Sequence, residues 1–284
     1  MAKFVPDVKT QRWVVIAPWR TFRPEDLQNK TERKQKNVVC PFCPGNEFMT
    51  PPEVWRIGGE GKWNKPGWKV RVVPNKFRIT DVHEVIIHSP DDIRDVDRLE
   101  LSQVELVIQA YRQRFIENQK NGQVLIFCNH GESAGASLRH PHSQLVVLPN
   151  QIKLDVLSRE PFNNVIDENN HFVTYSPDFS QWPYEVWIAP KVSGTMFGEI
   201  KDNEISDLVG IMQNILVKLR DRFFDGVTPK VAREEDFTYN YYIYHGIDWY
   251  LRIIPRFVHR AGFELGTGLS VNIKDPAEAM KELM

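Results

Sequence analysis

Cysteine is scarce, with three in 284 residues. That is too few for a disulfide scaffold, and in a reducing compartment such residues serve as metal ligands, redox groups or small hydrophobes. Long apolar runs are missing as well. None approaches the roughly 18 residues of a membrane span, and Met1 to Thr10 has no apolar core of the secretory kind. Nor is one sign of charge in excess. Lys plus Arg is 36 and Asp plus Glu is 37, a net charge of -1. Such a balance gives no electrostatic reason to expect nucleic acid or an anionic membrane as a partner. Together these absences predict a cytoplasmic protein. What remains is a soluble composition, 42% hydrophobic, in a chain long enough for one large domain or two medium ones.

A weak internal repeat predicts how that length is used. His83-Glu84-Val85-Ile86-Ile87-His88 matches Tyr184-Glu185-Val186-Trp187-Ile188-Ala189, and both read as strands closed by a proline nearby. Each leads through an acidic stretch to a helix. The first helix is expected near Ser102, with Ser102 and Glu105 as a capping box and Val104, Ile108, Tyr111 and Phe115 as its apolar stripe. The second is expected near Asp202, with Ile205, Leu208, Met212, Ile215 and Leu219 inward. Both helices run into a strand ending at His-Gly, and then into a final strand, Gln144 to Pro149 or Tyr250 to Pro255. The order strand, helix, strand, strand therefore occurs twice. It predicts an α+β fold of two tandem halves, 1–156 and 157–284, each an antiparallel sheet with a packed helix. Residues 157–170, containing Pro161, Asn163 and Asn164, read as the connection. In this alignment Asp248 stands where the first half has His142, and Gly246 where it has His140. One active centre per chain follows.

The centre is expected at His140-Pro141-His142-Ser143-Gln144. On a strand, residues two apart share a face, so His140, His142 and Gln144 point one way and Ser143 the other. Upstream, Gly131 to Ser137 is a loop of small residues, able to bring backbone N–H groups close to an anion. A neutral imidazole attacks phosphorus well, and a phosphorylated ring nitrogen is in turn a good leaving group. His142 is the candidate nucleophile. Gln144 could donate to a phosphate oxygen, and Ser137 could hold another. A metal pair or a solvated face is the alternative for such a His-x-His.

Cys40-Pro41-Phe42-Cys43 has zinc-knuckle spacing but supplies only two of four tetrahedral ligands. His140 is a candidate third and Asp92 a fourth; a metal-free thiol pair is the alternative. Cys128 reads as a small buried hydrophobe. Arg20 and Arg23 carry guanidinium forks suited to phosphate, unless they are solvated surface groups. Glu264, in the glycine-bearing stretch Gly262 to Gly268, could accept sugar hydroxyls.

In this combination and order, the chain resembles the galactose-1-phosphate uridylyltransferase family of the histidine-triad superfamily. The residues that carry the resemblance are Trp13 to Pro18 with Arg20 and Arg23, Cys40 to Asn46, Asn75, Ser89-Pro90, Asn129, Gly135-Ala136-Ser137, the His-Pro-His-Ser-Gln run and Gly262-Phe263-Glu264. The resemblance implies a double displacement. His142 attacks the α-phosphate of a nucleotide sugar, and a sugar 1-phosphate then takes the nucleotide from the covalent intermediate. It also implies that Gln144 orients phosphate oxygens and that Arg20, Arg23, Asn75, Asn129 and Ser137 line the nucleotide site. Glu264 would contact the hexose, Cys40, Cys43 and His140 would bind zinc, and the protein would be a homodimer. Where the family often has a histidine just after Ser-Pro, this chain has Asp92, so a carboxylate would complete the zinc site. Trp249 to Arg252 replaces the histidine-rich strand that builds an iron site in some members, so no iron is expected. Ser143 and Gly266-Thr267-Gly268 lean toward a subgroup similar to the ADP-glucose phosphorylases. That resemblance implies phosphate or another anion as acceptor and an adenine nucleotide as donor. A histidine-triad hydrolase, with water as acceptor, is a further alternative.

Overall fold

Alternating apolar residues organise the chain around one long sheet. The computed structural model describes residues 2–7, 12–22, 39–154, 157–224 and 237–284. The strands are β1 (Lys3–Pro6), β2 (Trp13–Ile16), β3 (Trp55–Ile57), β4 (Val70–Pro74), β5 (His83–Ile87), β6 (Gln123–His130), β7 (His142–Leu148), β8 (Val165–Glu168), β9 (Phe172–Tyr175), β10 (Val186–Pro190), β11 (Tyr239–Ile243) and β12 (Leu251–Pro255). The helices are α1 (Leu101–Asn118), α2 (Asp202–Phe224), α3 (Gly262–Thr267) and α4 (Pro276–Leu283). β1 and β2 pair with each other as a separate hairpin. The other strands form one antiparallel sheet in the order β3-β4-β5-β7-β6-β11-β12-β10-β9-β8.

That order is two copies of one unit, the second reversed. β3-β4-β5-β7-β6 meets β11-β12-β10-β9-β8, and the halves join where Asn129 pairs with Asn240 across β6 and β11. Both long helices pack on the same face of the sheet. Val124, Ile126 and Cys128 from β6 and Tyr239, Tyr241 and Ile243 from β11 share one core with the stripes of α1 and α2. Each large apolar side chain buried there contributes about 1.5–3 kcal/mol. Val104, Ile108, Tyr111 and Phe115 of α1 are all within this core, as are the five stripe residues of α2. The two expected sheets are thus fused into one, and the segment expected as a connection contains strand β8.

Two local expectations need correction. The α1 N-cap is Glu100, and Ser102 lies inside the first turn. The chain already turns at Asp95, whose carbonyl accepts from the N–H groups of Arg98 and Leu99, and this delivers it to the helix early. Glu105 instead accepts from the hydroxyl of Ser206, at 2.7 Å, and so links α1 to α2.

The second correction concerns register. Val85 and Ile87 lie on the face away from the helices, with Val73. In β10 that face carries Trp187 and Ala189, whereas Val186 and Ile188 face the helices. Matching Val85 to Val186 is therefore one residue out, a slip that moves every side chain across the sheet. With Val85 matched to Trp187, the cross-strand partners follow: Val85 pairs with Gln144 and Trp187 with Arg252. Gln144 thus corresponds to Arg252 and His142 to Tyr250. Tyr250 is stacked between Trp187 and Tyr244, with ring centroids at 4.1 and 5.1 Å. The second half fills its equivalent position with packed aromatic rings.

Candidate active site

The nucleophile candidate sits at the first residue of β7, where the chain enters the sheet from Pro141. Nδ1 of His142 donates to the carbonyl of His140 at 2.8 Å. That bond leaves Nε2 as the unprotonated nitrogen of the neutral ring. Burial pushes the His142 imidazolium down to about 4. Phe42 meets the ring edge-on with centroids 5.2 Å apart, and meets His140 the same way at 6.1 Å. The Cys-Pro-Phe-Cys turn thus packs directly against the His142 ring. The cavity around His142 is lined by Gln144, Asn75, Lys76, Ser137, Leu138, Phe42 and residues 49–51.

His140 has a different role in the geometry. Its Nε2–H donates to the Ser89 carbonyl at 2.8 Å. The Nδ1 lone pair then faces Cys40 and Cys43, with both sulfurs 3.6 Å away. Among the described residues these three form a group able to hold a metal ion. The donor set fits. Two thiolates and an imidazole suit a soft tetrahedral ion, and a ligating histidine normally donates its other ring nitrogen to a fixed acceptor such as a backbone carbonyl. Burial raises the Cys40 thiol, but its polar contacts with His140, the Phe42 backbone and Cys43 outweigh it and bring the thiol below its usual value. Burial, then Cys40 and Asp92, push Cys43 up to about 12. Asp92 therefore lies close to Cys43, although its carboxylate is outside the group of three ligand atoms. In a metal-bound state the deprotonated sulfurs would be held by the cation, which reverses that repulsion.

The knuckle loop is fastened to β4. Asn46 donates to the Cys40 carbonyl at 2.9 Å, and Trp68 Nε1 to Glu47 at 2.9 Å. Arg71 and Glu53 form a fully buried ion pair at 2.7 Å, and Arg71 also donates to the Thr50 hydroxyl at 3.0 Å. Removing one member of such a pair leaves the other charge buried. Arg71→Met is expected to lower stability in urea denaturation by about 3 kcal/mol; an unchanged midpoint would show that the pair does not brace the loop.

The other anticipated residues are distributed unevenly. Ser137 lines the His142 cavity. Asn75 does too, and its Oδ1 accepts from the Phe77 N–H at 2.7 Å. Arg20 reaches the same loop, donating to the Phe77 carbonyl at 2.6 Å. Asn129 does not line the His142 cavity but a different one across β6 and β11, and its side-chain oxygen accepts from Asn240 at 2.9 Å. Asn240 donates equally to the Ala134 carbonyl, so the second half holds the first half's small-residue loop. Glu264 is exposed on α3, where it accepts from the Ala261 N–H at 3.0 Å; it does not line the His142 cavity. Arg23 lies outside the described residues.

The loop's backbone does not match its expected use throughout. The N–H groups of Ala134, Gly135 and Ala136 donate to carbonyls of Gly131 and Glu132 within the loop. Those three amides close the turn, and the left-handed φ of +84° at both Gly131 and Gly135 permits its tightness.

Two histidine-centred clusters were not anticipated. His83 is hydrogen-bonded to Gln144 at 2.8 Å. On the helix side, Ser143 lies 3.0 Å from Nε2 of His88, whose Nδ1 donates to Asp95 at 2.7 Å. Asp95 also accepts from His130 at 2.8 Å and from the Tyr239 hydroxyl at 3.2 Å. Burial disfavours the Asp95 carboxylate, but His88 and His130 overcome it and hold the group well below its usual value. This network ties the strand of His142 to the core from behind. In the sequence His83 and His88 bracket an apolar run, but Asp95 stands among Asp91, Asp92, Arg94, Asp97 and Arg98, so nothing there singles it out.

Comparison with known proteins decides what this centre is related to. The family described as galactose-1-phosphate uridyl transferase, N-terminal domain, matches residues 80–150, the stretch from β5 to β7. A galactose-1-phosphate uridylyltransferase of Thermotoga maritima is 24% identical over 96% of this chain and 95% of its own. This chain is related to that family. The ADP-glucose phosphorylase of Arabidopsis thaliana is 27% identical, with 98% of this chain and 92% of its own covered. A crystal structure of an ADP-glucose phosphorylase from Arabidopsis thaliana with bound ADP-glucose superposes with a TM-score of 0.72 at 26% identity, over 100% of this chain and 98% of that one. The chain is accordingly an enzyme of the nucleotidyltransferase kind, built on the fold of the uridylyltransferases.

Proposed function

We propose that this enzyme moves a nucleoside monophosphate between a nucleotide sugar and a second phosphate compound through a covalent bond to His142. The observation that carries the reading is the His142 ring, held by its Nδ1–H with Nε2 left to react inside a cavity that also contains Gln144. In the first step Nε2 attacks the α-phosphorus. The bond from that phosphorus to the bridging oxygen breaks, and the sugar 1-phosphate leaves with the electron pair. In the second step an acceptor phosphate oxygen attacks, the N–P bond breaks, and the neutral ring is restored. The bond from Nδ1–H to the His140 carbonyl strengthens as the ring becomes positive in the first step and relaxes as the second step restores the neutral ring. Gln144, Asn75, Ser137 and Arg20 would hold phosphate oxygens and the nucleoside.

With UDP-hexose as donor and a hexose 1-phosphate as acceptor, the enzyme is a uridylyltransferase. With ADP-glucose as donor and phosphate or another anion as acceptor, it is a phosphorylase. The Arabidopsis relative, matched over almost its full length, supports the second reading, and the uridylyltransferase relatives support the first. Both pass through the same ring. Intact-mass measurement of the protein after brief exposure to UDP-glucose or ADP-glucose separates them, since the added mass is that of UMP or of AMP. Protein that takes up neither, while sugar 1-phosphate is still released at the normal rate, would remove the covalent mechanism.

The metal reading is zinc, held by Cys40, Cys43 and His140 with Asp92 completing the tetrahedron after a side-chain rotation. Such an ion would supply structural closure of the knuckle. We assign the chemistry to residues 1–156 and a supporting role to 157–284. A homodimer is supported by the apolar side chains exposed along the C-terminal stretch, among them Phe263, Leu265, Leu269 and Ile273, and by the isolated β1–β2 hairpin, since two strands alone are marginal. Glu264 belongs to that stretch, so a second copy could carry it to the hexose. Free thiols at all three cysteines fit a cytoplasmic setting. Among the described residues no helix is long and apolar enough to cross a membrane.

A further inference from the structure

We propose that His83 is a positioning residue that fixes which end of the Gln144 amide faces the phosphate; the proposal rests on the transferase reading above. His83 is buried at the start of β5 and lies diagonally across from Gln144, since it pairs with Val146 while Gln144 pairs with Val85. Such diagonal neighbours on one face are within side-chain reach. The donor and acceptor pattern assigns the ring's tautomer. Nδ1 of His83 accepts the Ile79 N–H at 2.9 Å, so the proton is on Nε2. Nε2–H then donates to Oε1 of Gln144 at 2.8 Å. Asn75 Nδ2 lies 3.2 Å from His83 Nε2 and 3.4 Å from Oε1; because Nε2 carries the ring proton, it is Oε1 that accepts this second and weaker donor. With Oε1 fixed between two donors, the NH₂ end of Gln144 is directed away from them, where a phosphate oxygen needs a donor.

The arrangement matters because an amide has two nearly equivalent orientations about its last torsion. In the wrong one, Gln144 presents a carbonyl oxygen to a phosphate oxygen and repels it. The long contact from Asn75 holds the amide weakly by itself. His83 does not line the His142 cavity, so it acts through Gln144 and touches no substrate.

The test is a double-mutant cycle read on the first half-reaction by rapid-quench labelling with whichever nucleotide sugar labels the wild type. His83→Leu fills similar space without a donor. It is expected to slow labelling about 10–100-fold, the usual range for an outer partner of a functional group, with a smaller change in KM than in kcat. His83→Gln restores a donor near the Nε2 position and should recover most of the rate. In a Gln144→Ala background, His83→Leu should cost nothing further. Labelling of His83→Leu at the wild-type rate, or an equal loss in both backgrounds, would overturn the proposal. The ¹⁵N resonances of the His83 ring give a reading independent of turnover. They should show the Nε2–H tautomer, and an Nδ1–H tautomer overturns the assignment. A wild-type protein that takes no label condemns the transferase reading separately, and the ring's tautomer then decides the His83–Gln144 hydrogen bond alone.

Discussion

His142→Ala is expected to abolish transfer between sugars, with a fall in kcat of about 10⁴-fold or more while the fold is retained. The size follows from the kind of role proposed. Losing a covalent nucleophile removes the reaction path itself, and nucleophile deletions in hydrolases cost about 10⁴–10⁶ in kcat. The fold should survive because the ring's hydrogen bond is to the carbonyl of His140, whose own side chain is anchored elsewhere, at Ser89 and the two cysteines. A cavity beside Phe42 would remain, at a cost of a few kcal/mol by analogy with other large-to-small core changes. The measurements are steady-state transfer, intact mass after exposure to nucleotide sugar, and thermal midpoint. Alanine protein that still exchanges sugars at more than a few per cent of the wild-type rate would mean that some other group receives the nucleotide, or that the acceptor attacks directly.

The reach of the sequence can be judged on particular residues. Period-two spacing sufficed to put His142 and Gln144 on one face and Ser143 on the other, because β7 is regular from its first residue. The Cys-x-x-Cys spacing likewise led to a ligand group with His140, a contact that spans about a hundred residues. The repeat was legible as an order of elements. Its register was not, because Glu84 and Glu185 align as letters but lie on opposite faces. Glu84 meets Arg114 of α1 at 2.5 Å, whereas Glu185 meets Arg252 of β12 at 2.7 Å. Only cross-strand pairing distinguishes the two. His83 escaped for a related reason. It was visible as the first letter of a repeated strand, but its importance comes from a diagonal neighbour on β7, and such neighbours depend on register. Composition alone suggests an anion cradle in the loop after β6, yet small residues also permit a loop to bond to itself, and three of its amides do so.

Cys40→Ser is expected to give the largest loss of stability in the molecule and, with it, a loss of activity that no substrate concentration restores. Where a structural metal closes a loop, its binding free energy is part of the folding free energy. Here the loop such an ion would close bears Phe42, which packs on both histidine rings, and the imidazole it would hold is His140, whose carbonyl orients His142. Loosening the knuckle would therefore free the His142 ring from two sides at once. The variant should bind less than one equivalent of zinc by elemental analysis, melt about 10 °C lower, as a loss of a few kcal/mol would require in a chain of this size, and label slowly with nucleotide sugar. Treating the wild type with a strong chelator should reproduce all three effects, and added zinc should reverse them. The decisive comparison is with Asp92→Asn. If the carboxylate is the fourth ligand, this variant should hold zinc more weakly and lose part of the same stability. If zinc content and melting are unchanged, the fourth position belongs to another donor and the knuckle is a three-residue site. Full zinc content and a wild-type melting point in Cys40→Ser would show instead that the thiol pair is a packing feature, and that Phe42 alone steadies the ring.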